Sequence, residues 1–491
     1  MEHFITTLAL TGIVIVVASL LSGAVERSGV PLVAVFLALG AALGPFGLGL
    51  ADIELASPAL KVIATLALAL VLFSDAVTIE IGEVRARKRL AARLLIPGTF
   101  VPAVVITAVA HWLLGLQWAE SAILGAALAS TDPVLLRSVL RAHSLPDAVR
   151  VALRLESGMN DVMLLPIVVL SMLLIQGASQ GGGTSAGTLV RHAIGLFVLG
   201  PTLGALIGWL GIVAMVRVRS GVGVRRDYES LYALGLAFTA YTAAEAVGGS
   251  GFLAAFAAGF MVAAQDVELC DCFLEYGEAT AEMLLLLTFV ALGTSVIWSG
   301  LTVISGRVLL FAAIALVTRT AVLLPMLRLP GVGLAPRERR LIALFGPRGL
   351  STLLFALLPV FAGLPGAGQL FEIACLVVLL SVVVHGGGIA LFLRAQQARD
   401  LPPAAPRPRP VAAPPTPNAE PAADDRIGLD EVRELRARGG EIVIVDARAD
   451  RSYRASDAQA AGSVRISPDD PVRDATALQL SRHATLVVYC A

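Results

Sequence analysis

The sequence predicts an all-α polytopic membrane protein of about thirteen transmembrane helices, followed by a small partial α/β module. Three observations indicate this fold class. Only 15% of the 491 residues are charged, whereas a soluble chain usually carries about 25%. The mean hydropathy is +0.81. The apolar residues form successive stretches of about 20 residues, the length of a helix that crosses a bilayer.

These apolar stretches are separated by short polar connections. Lipid offers no hydrogen-bond partner, so each stretch must satisfy its own backbone and is predicted to be a helix. The expected spans are 4–25, 30–50, 58–79, 93–115, 119–137, 152–177, 191–216, 229–247, 250–266, 280–298, 302–325, 341–361 and 368–393.

Basic residues set the predicted topology. Arginine and lysine cluster after odd-numbered spans, at Arg85–Arg93, Arg137–Arg154, Arg217–Arg226, Arg328–Arg340 and from Arg394 onward. Basic loops stay in the cytoplasm, so the N-terminus is predicted outside and the C-terminus inside, across a bacterial cytoplasmic (inner) membrane. The net charge is zero, which gives no indication of a nucleic-acid partner.

The composition changes after the last span. A Pro/Ala-rich stretch is typical of an extended linker, and the residues beyond it suit an α/β module. Glu441–Asp446 and Thr485–Tyr489 are predicted strands, and Leu429–Arg438 a predicted helix. The module is short for a normal core, and we expect it to be incomplete. The predicted parts are a transmembrane domain (1–397), a linker (398–424) and a partial module (425–491).

The first polar cluster inside a span is Ser130–Pro133. Proline interrupts a helix, and such breaks occur at membrane depth where they line a cavity. Freed carbonyls and the Thr131 hydroxyl are hard oxygen ligands beside the Asp132 carboxylate. The alternative interpretation is a kink in which Asp132 only caps the following half-helix.

The second cluster is Glu156–Asp161. Acidic residues at membrane depth are costly and usually functional. A buried carboxylate can hold either a proton or a cation, and competition for one such site is what ion exchange requires. The alternative is a helix start at the membrane boundary, with this polar run among the headgroups.

Two further features need partners or a role. Arg319 lies mid-span, where an unpaired guanidinium would be very costly, and Glu156 is its best candidate partner; the alternative is snorkelling to the interface. Gly346–Gly349, which includes Arg348, interrupts a span of the second half, a pattern that points to a midplane transport site or else to an interfacial turn. Asp75, near the end of its span, either lines an ion entrance or lies among headgroups.

Four motifs together resemble the bacterial sodium/proton antiporter branch of the monovalent cation:proton antiporter family. They are Ala127–Pro133, Glu156–Asp161, Gly251–Gly259 and Phe345–Ser351. They occur in the family's order and at family-like spacing, and the resemblance covers roughly residues 1–395.

The resemblance implies a fold of two inverted repeats with crossed, discontinuous helices, in which a core domain moves against a dimerisation domain by elevator-like alternating access. The protein would then be a homodimer. The resemblance also implies that Asp161 is the main carrier of the cation and the proton, and that Asp132, Thr131 and Ser157 complete the ion site, with Na+ held at Asp161 and Asp132.

The remaining residues would support this site. Asn160 stands where electrogenic relatives carry a second Asp, which implies electroneutral exchange. Glu156 would pair with Arg319 without joining transport, and Asp75 resembles an acid at the ion entrance.

The C-terminal module resembles a rhodanese-like domain. Val443–Arg448 is similar to its strand and Asp-x-Arg signature, Ala461–Arg465 to the following turn, and Leu486–Cys490 to the strand that delivers the nucleophilic cysteine. The loop that would cradle a persulfide or anion after Cys490 is missing, and a reactive thiolate needs that loop. We therefore expect no sulfurtransferase activity.

The resulting prediction is a secondary active transporter, not an enzyme and without a cofactor, that exchanges Na+, or Li+, for H+. Two alternatives stay open. One is K+/H+ exchange on the same fold, because oxygen ligands serve both cations. The other is a membrane sensor that signals through the C-terminal module. A channel is disfavoured, because single occluding carboxylates suit binding and release better than flow.

Overall fold

The computed structural model describes most of the transmembrane part and separate pieces of the C-terminal part. The described ranges are 32–45, 47–50, 53–79, 81–140, 145–179, 186–221, 226–265, 271–330, 332–392, 442–448, 459–467, 471–481 and 484–489, with a few isolated positions. The chain divides into two compact units, Met1–Pro403 and Ala404–Ala491.

The described residues of the first unit are mostly helical. The helices are α1 Leu32–Leu43, α2 Pro58–Val77, α3 Ile81–Ala86, α4 Lys88–Leu95, α5 Pro97–Leu114, α6 Trp118–Ala129, α7 Pro133–Leu140, α8 Asp147–Ser179, α9 Ala186–Ile194, α10 Gly200–Gly221, α11 Arg226–Ala246, α12 Gly251–Ala264, α13 Asp271–Thr294, α14 Gly306–Arg328, α15 Pro336–Leu344, α16 Leu350–Phe361 and α17 Ala367–Ser381. Two π-helical turns, Gly195–Leu199 and Val382–Gly386, and one 3-10 turn, Val296–Leu301, extend or join them.

These helices confirm a polytopic membrane protein. Six helical segments of the described residues are long and apolar enough to cross a bilayer. Every predicted span from the second onward overlaps a helix of the structure. The first predicted span, 4–25, falls almost entirely outside the described residues, so the total of about thirteen stays a prediction. The inverted repeats also remain a prediction.

Two of the predicted spans are broken in the middle. Ser130–Asp132 separates α6 from α7, because Pro133 has no N–H to continue the first helix. Phe345–Gly349 separates α15 from α16, where Gly346, Pro347 and Gly349 disfavour a regular helix. Helix α6 packs against α16, and both contact α8. The two breaks and the acidic cluster of α8 are therefore brought to one place.

Small residues let several of the other helices approach closely. Helix α12, which includes most of the small-residue run 248–259, packs against α10 and α2. A Cβ at Gly208 of α10 would lie 2.6 Å from the carbonyl oxygen of Ala258, so only glycine fits there. Such contacts replace the hydrophobic driving force, which is absent between helices in lipid.

The described part of the second unit contains a parallel three-stranded sheet of order β2-β1-β3, with one helix. The strands are β1 Ile442–Asp446, β2 Val464–Arg465 and β3 Thr485–Tyr489, and the helix is α18 Pro471–Ala477. The strands predicted at 441–446 and 485–489 therefore correspond to β1 and β3. The predicted linker 398–424, the predicted helix 429–438 apart from Val432, and Cys490 lie outside the described residues, and the domain boundaries stay predictions.

Candidate ion site

Asp161 lies at the centre of the assembled breaks. It projects from α8 and is only 1% exposed. Its Oδ1 accepts a hydrogen bond from the hydroxyl of Ser130, in the first break. The hydroxyl of Ser351, in the first turn of α16, lies beside the same carboxylate. Its Oδ2 has no hydrogen-bond partner among the residues that the structure describes.

A second unpartnered oxygen belongs to the neighbouring residue. Asn160 donates through Nδ2 to the hydroxyl oxygen of Thr131, 2.6 Å away. The Oδ1 of Asn160 is buried and, within the described part of the chain, accepts no hydrogen bond. A buried acceptor left unsatisfied costs about 1–3 kcal/mol. Consecutive residues thus offer two oxygen atoms for a hard cation, or one carboxylate oxygen for a proton.

Asp132 joins the two breaks. Its backbone N–H donates to the carbonyl of Pro347 over 2.9 Å, and its Oδ2 accepts the N–H of Leu350 over 2.9 Å. The carboxylate therefore caps the start of α16, where unpaired N–H groups and the helix dipole favour a negative charge. The alternative interpretation of the sequence, in which Asp132 only caps the following half-helix α7, does not include this contact with α16. A Cβ at Gly349 would overlap that carboxylate. Whether Asp132 also binds the ion stays a prediction.

Arg348, which belongs to the second break, caps the C-terminal end of α6 at the first break. It is completely buried. Its Nη1 donates to the carbonyls of Ala129 and Ser130, over 2.7 and 2.8 Å. These are the last carbonyls of α6 and its cap, where the helix dipole favours a positive charge. Each interrupted span is thus capped by a charged residue of the other.

Glu156 and Arg319 form the ion pair that the sequence analysis predicts. Arg319 Nε and Nη2 donate to the two carboxylate oxygens of Glu156, each over 2.6 Å. The guanidinium also donates to the carbonyls of Ile342 and Ala343, over 3.0 and 2.9 Å. Arg319 therefore caps the end of α15 as well, and a Cβ at Gly346 would come within 2.7 Å of its guanidinium carbon.

The other predicted site residues lie at the edge of this cluster. Ser157 is buried, but its hydroxyl donates to the carbonyl of Arg154 in the preceding turn, 3.3 Å away. Asp75, on α2, is half-buried and faces Gly158, where a Cβ would stand 3.6 Å from its own. The predicted roles of Ser157 as a ligand and of Asp75 at the entrance stay predictions.

The charges of the buried cluster nearly balance. Three carboxylates, of Asp132, Glu156 and Asp161, accompany two guanidinium groups, of Arg319 and Arg348; all five side chains are at most 3% exposed. With every acid ionised this set carries one net negative charge. A single monovalent cation or a single proton therefore makes the set neutral, which a low-dielectric site strongly favours.

The site includes two residues that are not among the predicted ligands. Ser130 and Ser351 both lie next to the Asp161 carboxylate. Each belongs to a motif that the sequence analysis names, Ser130 to Ser130–Pro133 and Ser351 to Phe345–Ser351, so the sequence indicated the region in which both lie. Serine is common at helix starts and breaks, however, and its residue type alone does not distinguish a ligand from a cap.

Asp446 forms a separate paired site in the C-terminal unit. Arg448 donates to the Asp446 carboxylate, with Nη2 2.7 Å from Oδ2, and the Tyr489 hydroxyl donates to Oδ2 over 2.8 Å. These bonds, led by the one from the Arg448 side chain, hold the pKa of Asp446 well below its usual range. Cys490, the predicted rhodanese-like cysteine, lies outside the described residues.

A buried polar cluster at two helix breaks is typical of the ion site of a membrane transporter. Residues 13–395 match the model of the family described as "Sodium/hydrogen exchanger, transmembrane". The chain belongs to this family, and it is a cation/proton antiporter rather than an enzyme.

Named relatives lie at moderate similarity. The chain is 29% identical over 400 residues to the K(+)/H(+) antiporter NhaP2 of Shewanella sp. (strain MR-4), covering 81% of this chain and 67% of that protein. It is 27% identical over 404 residues to the K(+)/H(+) antiporter NhaP of Alkalimonas amylolytica, covering 80% and 67%. The solved sodium proton antiporter MjNhaP1 from Methanocaldococcus jannaschii at pH 8 superposes with a TM-score of 0.62 at 20% identity, over 79% of this chain and all of that one. This last likeness concerns the fold.

Proposed function

We propose that Asp161 carries, alternately, one monovalent cation and one proton across the membrane. The observation that supports this most directly is that two consecutive buried residues, Asn160 and Asp161, each keep one side-chain oxygen, Oδ1 and Oδ2 respectively, without a hydrogen-bond partner among the described residues. A cation bound there would gain both oxygens as ligands, and a proton on Asp161 would remove the buried charge. The two cannot occupy the carboxylate together, so binding of one releases the other.

We propose that the exchange is electroneutral. The five buried charges, Asp161 included, sum to one negative charge, which one cation or one proton neutralises equally. Asn160→Asp tests this balance, because it adds a second acid where the amide now stands. The variant should need two protons per cycle and should respond to an imposed membrane potential, whereas the wild type should not. A wild-type rate that changes with membrane potential would contradict electroneutrality.

Na+ is the first candidate cation, and Li+ is its proposed substitute. K+ is the second candidate, since two relatives of 29% and 27% identity are named K(+)/H(+) antiporters. The ligands proposed are oxygens, which serve both ions.

We also propose alternating access by an elevator-like movement, a homodimer, and a topology with the N-terminus outside and the C-terminus in the cytoplasm. The two helix breaks that contact each other support the first, because discontinuous helices are typical of alternating-access carriers. The basic loops support the topology.

The C-terminal unit is proposed to be inactive in sulfur transfer; turnover of thiosulfate and cyanide by the full chain would contradict this.

The function is tested in everted vesicles from cells that lack their own antiporters. The vesicles are energised to form a pH gradient, and Na+, Li+ and K+ are added in turn while a pH-gradient dye is followed. Dequenching is expected from wild type and is expected to disappear in Asp161→Asn. Asp147→Asn is the matched control, because Asp147 begins the same helix and its side chain is 84% exposed.

The outcomes separate the hypotheses. Dequenching by Na+ or Li+ supports the first candidate, and dequenching by K+ alone keeps the mechanism but changes the substrate. Full activity in Asp161→Asn contradicts the assigned site. No response to any cation across a range of pH would favour a sensor over a transporter.

A further inference from the structure

The last described helical segment of the membrane unit contacts the second break on both sides of an irregular turn. Helix α17 continues into the π-helical turn Val382–Gly386. Turns of this kind inside longer helices often mark functional positions, because they widen the backbone and redirect side chains. Ser381 precedes the turn and is completely buried, while His385 lies within it and is half-buried.

Ser381 holds the backbone of the unwound segment. Its hydroxyl oxygen accepts the N–H of Arg348 over 2.7 Å. The same hydroxyl lies 3.2 Å from Nδ1 of His385. Because Oγ already accepts from Arg348, its own proton is available to the imidazole nitrogen. His385 can therefore fix the rotation of the Ser381 hydroxyl and point its lone pairs at the break.

This contact continues to the ion site without a gap. Arg348, held at its backbone by Ser381, donates through Nη1 to the carbonyl of Ser130 over 2.8 Å. Ser130 in turn donates through its hydroxyl to Asp161. Consecutive hydrogen-bonded residues thus connect α17 with the carboxylate of α8.

An aromatic contact holds the same segment at its other end. Phe345, the first residue of the break, packs edge-to-face against Phe392, beyond the π-turn, with ring centroids 5.2 Å apart. The break Phe345–Gly349 is therefore attached to the α17 segment at two places, one apolar and one polar.

We propose that Ser381 and His385 are positioning residues for cation binding, acting on Asp161 through Arg348 and Ser130. This inference rests on the proposed function. Without the Ser381 hydroxyl, the Arg348 N–H becomes a buried donor without an acceptor, and the break must shift to satisfy it. The shift alters where Ser130 presents its hydroxyl, and cation binding at Asp161 weakens.

The test measures cation affinity by two methods. The first is the KM and Vmax of exchange in everted vesicles, with Vmax expressed per folded transporter. The second is the rise in unfolding temperature of the purified full-length chain as the transported cation is added. The variants are Ser381→Ala, Ser381→Thr, His385→Asn and His385→Gln. Val383→Ala is the control, because Val383 lies in the same turn and is 73% exposed.

Ser381→Ala should raise the cation KM about tenfold, the effect of one unsatisfied buried donor, with Vmax within about twofold of wild type. Ser381→Thr keeps the hydroxyl and should restore the affinity. Asn at 385 places a polar atom near the Nδ1 position and should stay close to wild type. Gln places its amide near the Nε2 position and should resemble Ser381→Ala.

Several results would overturn the inference. An unchanged KM in Ser381→Ala, or a loss confined to Vmax and to the amount of folded protein, would show a structural role only. Equal behaviour of the two His385 variants would exclude the Nδ1 contact. If wild type itself shows neither exchange nor cation-dependent stabilisation, the proposed function fails, and this inference fails with it.

Discussion

Two acidic residues of α8 lie little more than one helical turn apart and are both buried, yet their carboxylates differ in the hydrogen bonds that they accept. Glu156 has both carboxylate oxygens bound by Arg319. Asp161 has one oxygen held by Ser130 and the other without a partner in the described chain. Burial alone therefore does not identify a working carboxylate. The two acids differ in their hydrogen-bond partners. A buried acceptor without a partner is unfavourable, and a ligand that binds it removes that cost.

The largest expected effect separates the two acids by activity. Asp161→Asn should abolish exchange, a fall of at least about a hundredfold, because an amide can be neither ionised nor protonated in this range. Glu156→Gln should retain exchange in those molecules that fold. Both are measured as dye dequenching per folded transporter. Loss of exchange in folded Glu156→Gln would remove the distinction between a structural and a working acid.

The next effect separates them by stability. Glu156→Gln leaves the Arg319 guanidinium buried without its counter-charge and should destabilise the protein by about 3–5 kcal/mol. Asp161→Asn should cost much less, since it removes a charge that lacked a full set of partners. Thermal unfolding of the purified chain measures both.

The double variant Glu156→Leu/Arg319→Met refines this prediction. Removing both charges should recover part of the lost stability, because no unpaired ion remains. Recovery should be incomplete, since Arg319 also caps α15 through Ile342 and Ala343. Full recovery would show that this cap contributes little.

A smaller effect concerns the cap on α16. In Gly349→Ala the new methyl group would occupy the space of the Asp132 carboxylate, and overpacking of this kind costs about 1–3 kcal/mol. Exchange and unfolding temperature should both fall. Gly235→Ala is the control, because a Cβ at Gly235 of α11 meets nothing within 4 Å. Equal behaviour of the two variants would show that the contact between Gly349 and Asp132 is loose in the membrane.

The smallest effect concerns a paired carboxylate outside the membrane. Arg448 holds the pKa of Asp446 below its usual range, so the folded C-terminal unit binds a proton less readily than the unfolded one. The pair therefore contributes stability above the ordinary Asp pKa of about 4, and this contribution fades as the pH falls toward the folded value.

Limited proteolysis of the full chain between neutral and acid pH follows the stability of this unit. Cleavage within residues 442–489 should increase as the pH falls. In Asp446→Asn, cleavage should already be faster at neutral pH and should depend less on pH. An identical pH dependence in the variant would show that other groups control the acid response.

The sequence is sufficient to predict interactions that lipid makes obligatory. The spans follow from hydropathy, and the pairing of Arg319 with Glu156 follows from the cost of a lone guanidinium at membrane depth. Both breaks follow from proline and glycine. These inferences need only the local sequence and the knowledge that lipid surrounds it.

Contacts across the fold are a different case. That Asp132 caps α16 depends on how the two breaks meet in the fold, and residues 218 positions apart carry no shared local pattern. Ser381 ends an apolar helix that carries no motif, and the π-turn that follows it and contains His385 has no dependable sequence signature. Only the structure shows that Ser381 and His385 are connected to Asp161 through the hydrogen bonds of Arg348 and Ser130.

The reciprocal caps have a consequence for biogenesis. Asp132 and Glu156 belong to the first part of the chain to be synthesised, whereas the Leu350 N–H and the Arg319 side chain that bind their carboxylates come much later. During insertion the nascent protein must hold acids in or near the bilayer before their partners exist. Such an intermediate would be a substrate for membrane proteases. A pause in synthesis between the two halves would prolong the time in which the acidic half can be degraded.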